Sequence, residues 1–255
     1  MLRSVLPVRV EFYGEPWNPV LNVEIYGSEN IGDVLEAIRK MLRVDFDYSE
    51  FLDAVRGYPE IHSLALKHAG LRPGRCVSLY YALIDSVVKQ AVSLKQALNT
   101  MAKIVVKYGR KKSISGTVFY EYPSPTKLLK VSVEELRSLG LSRTKAKALL
   151  EIAKARAEGR LPSEAEAERN PEETIRELTK IYGVGTWAAQ LSIAMVSEKF
   201  TIGPLSDLAV RKGLERIFKA KIPYEKTLEI IRNLGNYIGL IMYLVSYNYE
   251  TAKKI

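Results

Sequence analysis

The chain has 255 residues, 47% of them hydrophobic and 26% charged, with a formal net charge of +9. This composition excludes wholesale disorder and suits one large domain with a smaller companion. A single cysteine, Cys76, with two histidines, His62 and His68, excludes an internal disulfide and offers no donor set for zinc or an iron-sulfur cluster. The longest nearly uncharged apolar run, 237–247, is about half of what a bilayer span needs. Met1-Leu2-Arg3-Ser4 leads into no signal-peptide apolar stretch. A soluble, cytoplasmic protein is expected, nucleoid-associated if the source is prokaryotic, with no membrane partner.

The positive charge is unevenly placed. Residues 1–70 carry 7 Lys/Arg against 11 Asp/Glu, and residues 71–255 carry 31 against 18. A basic block of this size points to a polyanionic partner, because Lys and Arg that neutralise phosphates release condensed counterions. Solvated Lys/Glu helix faces would give the same count.

In chain order, Val5 to Tyr13 and Val20 to Tyr26 read as an antiparallel strand pair separated by Gly14, Pro16, Asn18 and Pro19. From Ser28 the period becomes helical, with Ile31, Val34, Leu35, Ile38 and Leu42 behind a Ser/Glu/Asn start. Leu71-Arg72-Pro73-Gly74-Arg75 is the best boundary, giving an N-terminal α+β domain over 1–70. A helical region follows over 71–255. Leu79 to Tyr108 predicts two helices broken near Val92-Ser93, and Tyr122-Pro123-Ser124-Pro125 a turn. Val133–Leu139, Thr144–Arg156 and Glu172–Tyr182 predict short amphipathic helices, with Leu161 to Asn170 as a Glu-rich connector. The fold class is a mainly α-helical bundle with a small N-terminal antiparallel sheet and helix, α+β overall.

The segment Glu172 to Phe218 carries the chemistry. A helix ending at Ile181-Tyr182 runs into Gly183-Val184-Gly185, and a second helix, Trp187 to Val196, starts at once. Two glycines permit a hairpin tight enough for backbone N–H groups at the start of the second helix to face a phosphate; a glycine helix cap between core helices is the plainer reading. Further on, Ile202-Gly203-Pro204-Leu205 leads through Ser206-Asp207 into a basic helix, Leu208 to Phe218. Asp207 fits an N-cap, and it equally fits a carboxylate pointed into a cleft beside the hairpin.

The string Ile181-Tyr-Gly-Val-Gly-Thr-Trp-Ala-Ala189 followed by Gly203-Pro-Leu-Ser-Asp207-Leu-Ala-Val-Arg211 resembles the helix-hairpin-helix plus Gly/Pro-Asp signature of the HhH-GPD superfamily of base-excision DNA glycosylases. Ile84-Asp-Ser-Val-Val-Lys-Gln90-Ala-Val-Ser93 resembles that family's Gln-x-Val-Ser helix junction. Tyr122-Pro-Ser-Pro125 with Leu139-Gly-Leu-Ser-Arg-Thr-Lys-Ala-Lys-Ala148 resembles the stretch before the hairpin in AlkA-type 3-methyladenine glycosylases. The likeness covers roughly residues 70 to 220 in collinear order, and the N-terminal sheet unit also resembles the one those enzymes carry.

The resemblance implies a DNA glycosylase acting on duplex DNA with damaged bases, its helical region in two lobes with a cleft between them. Asp207 would stabilise the oxocarbenium-like sugar and orient water. Gly183, Val184, Gly185 and Thr186 would grip the backbone, and the gap left by a flipped base would be filled at Gln90 or Ala91, Gln90 being the larger. Trp187 stands where bifunctional relatives carry the Schiff-base lysine, so a monofunctional enzyme leaving an abasic site is expected, with Trp187, Tyr122 and Leu191 lining the base pocket. The aromatic expected at 191 is a leucine, and near Asn233 to Ile238 only Tyr237 stands where a tryptophan is expected. Lys145, Lys147, Arg211 and Lys212 are expected phosphate contacts as a group. N-alkylated purines lead as substrates. A glycosylase for oxidised or deaminated bases (8-oxoguanine, hypoxanthine, uracil) and a non-catalytic helix-hairpin-helix DNA-binding protein are the alternatives. A monomer without metal or cofactor is expected, a monovalent ion at the hairpin carbonyls staying open.

Overall fold

The computed structural model describes residues 6–15, 18–27, 30–114, 116–219 and 223–252. β1 (Val8–Glu15) and β2 (Asn18–Ile25) pair antiparallel, from Val8 opposite Ile25 to Glu15 opposite Asn18. The register puts Val8, Val10 and Phe12 on one face with Ile25, Val23 and Leu21, and it leaves Arg9, Glu11 and Glu24 on the other. The expected strand start at Val5, the turn residue Pro16 and the helix-start residues Ser28 and Glu29 lie outside the described residues.

Three helices follow: α1 (Ile31–Leu42), α2 (Tyr48–Ala54) and α3 (Pro59–Lys67). Asn30 caps α1 by accepting from the Gly32 amide at 2.8 Å. Arg43, at the C-terminal end of α1, takes the left-handed conformation with φ 51°, which is uncommon for a side chain of this size.

The helical body begins with α4 (Leu79–Lys89) and α5 (Leu94–Tyr108), broken at 90–93 as the apolar spacing predicts. Then come β3 (Lys111–Ile114) and β4 (Thr117–Tyr120), a short hairpin turning at Gly116 (φ 81°). α6 (Pro125–Leu128), α7 (Val133–Arg137) and α8 (Arg143–Ala157) follow. The Glu-rich connector contains a helix of its own, α9 (Glu164–Arg169), started by a capping box between Ser163 and Glu166. α10 (Pro171–Thr179), α11 (Thr186–Val196) and α12 (Leu208–Ile217) carry the glycine hairpin and Asp207. α13 (Tyr224–Asn233), a 3-10 turn at Gly235–Tyr237 and α14 (Ile238–Thr251) end the described chain. No helix among the described residues is long and apolar enough to cross a membrane.

Two hydrophobic cores result. The larger is built on α4 and α11, with residues of α5 to α10 around them. At its centre small side chains let two backbones approach: the Ser192 hydroxyl donates to the Ala188 carbonyl and pairs with the Ser86 hydroxyl at 3.0 Å, all fully buried. The second core joins Tyr48, Phe51, Val55, Ile61, Leu64 and Ala65 to Phe200, Val210, Leu214, Ile231 and Leu240 through Val245. The expected division at residue 70 is therefore not where the cores divide, because α2 and α3 bury their apolar faces against α12 to α14.

Arg43 fastens the seam between the cores. Its guanidinium donates to the carbonyls of Pro73 (2.9 Å), Glu198 (2.7 Å) and Ala194 (3.4 Å), and it stacks 4.5 Å from the Phe200 ring centre. Burial, and secondly the neighbouring Arg75 charge, pull its pKa down to about 10. Arg75 adds a bond to the Val196 carbonyl at 2.6 Å. The two arginines thus occupy the C-terminal end of α11, where carbonyls without helical partners favour cations.

Candidate active site and nucleic-acid interface

The glycine hairpin is fixed from below. Gly183 has φ 79°, and a Cβ placed on it would stand 2.5 Å from the Ala148 Cβ of α8. Only glycine meets both conditions without a shift. The Val184 amide donates to the Ile181 carbonyl at 3.0 Å, and its side chain is buried. Gly185, the N-cap of α11, has an ordinary extended backbone (φ −86°, ψ 170°), and a Cβ there would meet nothing within 4 Å. No side chain caps α11, and Gly185 and Thr186 are exposed. The leading amides of α11 therefore face outward, where an anion can accept from them.

Asp207 lies at the N-cap of α12. Its Oδ1 accepts from the amides of Ala209 (2.8 Å) and Val210 (3.1 Å), and its Oδ2 from the Trp187 indole Nε1 at 3.0 Å. The N-cap reading and the cleft-carboxylate reading are thus two descriptions of one side chain. Oδ1 serves the helix, while Oδ2 turns toward the start of α11 and stays part-exposed. The preceding loop is seated on α14 through glycines: a Cβ on Gly203 would stand 2.7 Å from the Met242 sulfur, and one on Gly239 would stand 2.6 Å from the Ile202 carbonyl. The Tyr224 hydroxyl, donating to the Leu205 carbonyl at 2.5 Å, holds the loop from α13. These contacts fix the carboxylate against the hairpin helix.

The structure brings Trp187 and Asp207 into direct contact, the indole donating to the carboxylate. Leu191 lies one turn further along α11, half-buried. Tyr122 packs 5.0 Å from Tyr81, which lies 5.3 Å from Tyr80, against the α4–α11 core. Burial, with a lesser contribution from Asp85, pushes the Tyr122 hydroxyl up to about 12. Asp85 itself is nearly buried on α4 and paired with Lys89 one turn on. The spacing of four gave a signal for that pair that motif reading passes over.

At the turn between α4 and α5, Gln90 is half-buried, and Ala91 is exposed with φ 51°. The basic residues divide. Lys147 and Lys212 are exposed. Arg211 is engaged on its own surface, donating to Glu215 at 3.2 Å and lying 5.1 Å from the Tyr224 ring centre. Lys145 turns inward, its ammonium 2.9 Å from the Val88 carbonyl at the end of α4. No sequence signal could have found the Lys145 or Trp187 partners, since both lie across the fold. Among the described residues no three His, Cys, Asp or Glu side chains form a metal-binding group.

The comparisons with known proteins agree with this arrangement. The HhH-GPD superfamily of base excision DNA repair proteins matches residues 84–236. DNA-3-methyladenine glycosylase 1 of Schizosaccharomyces pombe is 32% identical over 157 residues, 60% of this chain and 65% of that protein, so the chain spans slightly under two thirds of that relative. A putative DNA-3-methyladenine glycosylase of Bacillus subtilis is 22% identical over 85% of this chain and 73% of its own. Among solved structures, 3-methyladenine DNA-glycosylase from Archaeoglobus fulgidus superposes with TM-score 0.75 at 27% identity, covering 94% of this chain and 82% of that one. The Clostridium acetobutylicum 8-oxoguanine glycosylase/lyase bound to double-stranded DNA reaches 0.79 at 21% identity, covering 96% and 82%, a likeness of fold. With the glycine hairpin and the fixed aspartate both inside the matched stretch, the chain belongs to the HhH-GPD superfamily of base excision DNA repair proteins.

Proposed function

We propose that this protein is a monofunctional DNA glycosylase that removes damaged bases, N-alkylated purines first among them, from duplex DNA by hydrolysis and leaves an abasic site. The observation that carries the reading is the Asp207 carboxylate, oriented by two α12 amides and by Trp187 beside an uncapped, outward-facing hairpin. A module that only binds DNA would use the Oδ1 cap of α12 alone, and a second carboxylate oxygen turned toward the hairpin would repel phosphate.

The chemistry follows from these positions. The hairpin amides donate to a backbone phosphate, which grips the strand without reading its sequence. The damaged nucleotide leaves the stack, and the Gln90–Ala91 turn fills the gap. As the bond to the base breaks, positive charge grows on the sugar, and the fixed carboxylate stabilises it while orienting the water that attacks. Neither carboxylate oxygen needs reorganisation at that moment, because both are already held. Trp187 has no amine with which to form a Schiff base, which supports simple hydrolysis. Relatives named for 3-methyladenine support alkylated purines as the substrate class.

The test is base release from duplexes carrying, in turn, 3-methyladenine-type lesions, 1-methyladenine, hypoxanthine, uracil and 8-oxoguanine. Asp207→Asn, which can still cap α12, should lose about a hundredfold or more in release while DNA affinity stays within a few-fold. Unchanged turnover would remove Asp207 from the chemistry. Efficient borohydride trapping of a covalent adduct would overturn the monofunctional assignment. Release of 8-oxoguanine, hypoxanthine or uracil in place of alkylated purines would redirect the substrate class.

A further inference from the structure

Lys145 stands in the first turn of α8, which holds no acidic residue. A cation there opposes the helix dipole, so the position is unfavourable for a residue that only solvates a surface. Its ammonium instead crosses to α4 and donates to the Val88 carbonyl at 2.9 Å. Val88 lies in the last turn of α4, which ends at Lys89, with Gln90 as the C-cap. A cation at this end of a helix meets carbonyls without helical partners, and the interaction becomes favourable.

Directly after that tie the chain turns at Ala91, whose φ of 51° is strained for a residue other than glycine and persists only where the surroundings hold it. Ala91 is exposed, so the hold comes from below. The same helix α8 supplies Ala148, on which Gly183 of the hairpin rests. Lys145 and Ala148 lie three residues apart, on neighbouring positions of one helix face. α8 therefore touches both the end of α4 that leads into the turn and the hairpin.

We propose that Lys145 is a positioning residue rather than a phosphate contact: it anchors the Gln90–Ser93 turn to α8 and so fixes the spacing between that turn and the Gly183–Gly185 hairpin. The proposal rests on the reading of these two loops as the DNA-facing surface. Burial lowers the Lys145 pKa, as expected for an ammonium turned toward the protein and away from water.

The full-length protein tests this with two readouts that need no base release. In Lys145→Met, amide hydrogen exchange of the 89–95 segment should rise at least about tenfold, and Lys145→Arg, which can still donate to the carbonyl, should restore protection. The salt dependence of affinity for duplex DNA should keep the wild-type slope, whereas loss of a phosphate contact lowers it by about 0.9. Lys147→Met, on the exposed side of α8, supplies the slope change a phosphate contact produces. Faster exchange with an unchanged slope supports the anchor. A reduced slope, or unchanged exchange at 89–95, overturns it. If the methionine variant does not fold, Lys145→Gln, too short to reach the carbonyl, carries the same comparison. A wild-type protein that releases no damaged base would refute the glycosylase reading and leave the exchange result standing.

Discussion

The two hairpin glycines separate folding from DNA binding, and alanine at each should show it. At position 183 alanine must adopt φ 79°, and its Cβ would press to 2.5 Å from the Ala148 Cβ. The left-handed conformation costs about 1 kcal/mol, and forcing a methyl into a packed site costs roughly 1–3 kcal/mol more. Gly183→Ala should therefore lose about 2–4 kcal/mol of stability. At position 185 the backbone is ordinary and nothing lies within 4 Å. Gly185→Ala should stay within about 1 kcal/mol of the parent, the stiffer unfolded chain offsetting the poorer N-cap of α11. On the proposed phosphate grip, however, its methyl would stand in the path to the first amides of α11, so affinity should fall at least about tenfold, or about 1.4 kcal/mol. Urea denaturation and fluorescence anisotropy with a duplex containing an abasic-site analogue measure the two quantities. The reasoning fails if Gly185→Ala binds DNA as tightly as the parent, or if Gly183→Ala is as stable.

Two further outcomes follow from buried groups. Arg43→Met should destabilise the protein by about 3 kcal/mol, or roughly 6–12 °C in Tm, because the carbonyls of Pro73, Ala194 and Glu198 lose their donor; a loss below about 1 kcal/mol would mean that water replaces the guanidinium without cost. Burial raises the hydroxyls of Tyr48 and Tyr122 to about 12, while an unfolded tyrosine ionises near 10. Their contribution is thus fully present below pH 10 and is lost as pH climbs toward 12. Denaturation midpoints at pH 9 and pH 11 should show the fall, and the Tyr48→Phe, Tyr122→Phe double variant should lessen it, the buried Tyr80 hydroxyl, also raised, keeping part of it.

What was legible in the sequence shares one property: its signal is local. The break between α4 and α5, the start of α11 at Thr186 and the cap at Asp207 each follow from residues a few positions apart. The β3–β4 hairpin escaped because four-residue strands containing Lys111, Lys112 and Ser113 show little apolar alternation. The polar composition of 161–170 reads only as a Glu-rich connector, yet Ser163 and Glu166 form the capping box that starts α9. The joint core of α2 and α3 with α12 to α14 and the bond from Trp187 to Asp207 were invisible for another reason. They pair residues distant along the chain, and no periodicity encodes a partner.

The seam fastened by Arg43 and Arg75 has an unusual economy of information. Its acceptors are main-chain oxygens of Pro73, Ala194, Val196 and Glu198, which every amino acid supplies. Exchange at Pro73, Ala194 or Glu198 therefore leaves those acceptors in place, whereas Val196 is held by the core as well, and the donor side is confined to two guanidiniums. Selection should accordingly bear harder on Arg43 than on the three residues whose carbonyls it takes.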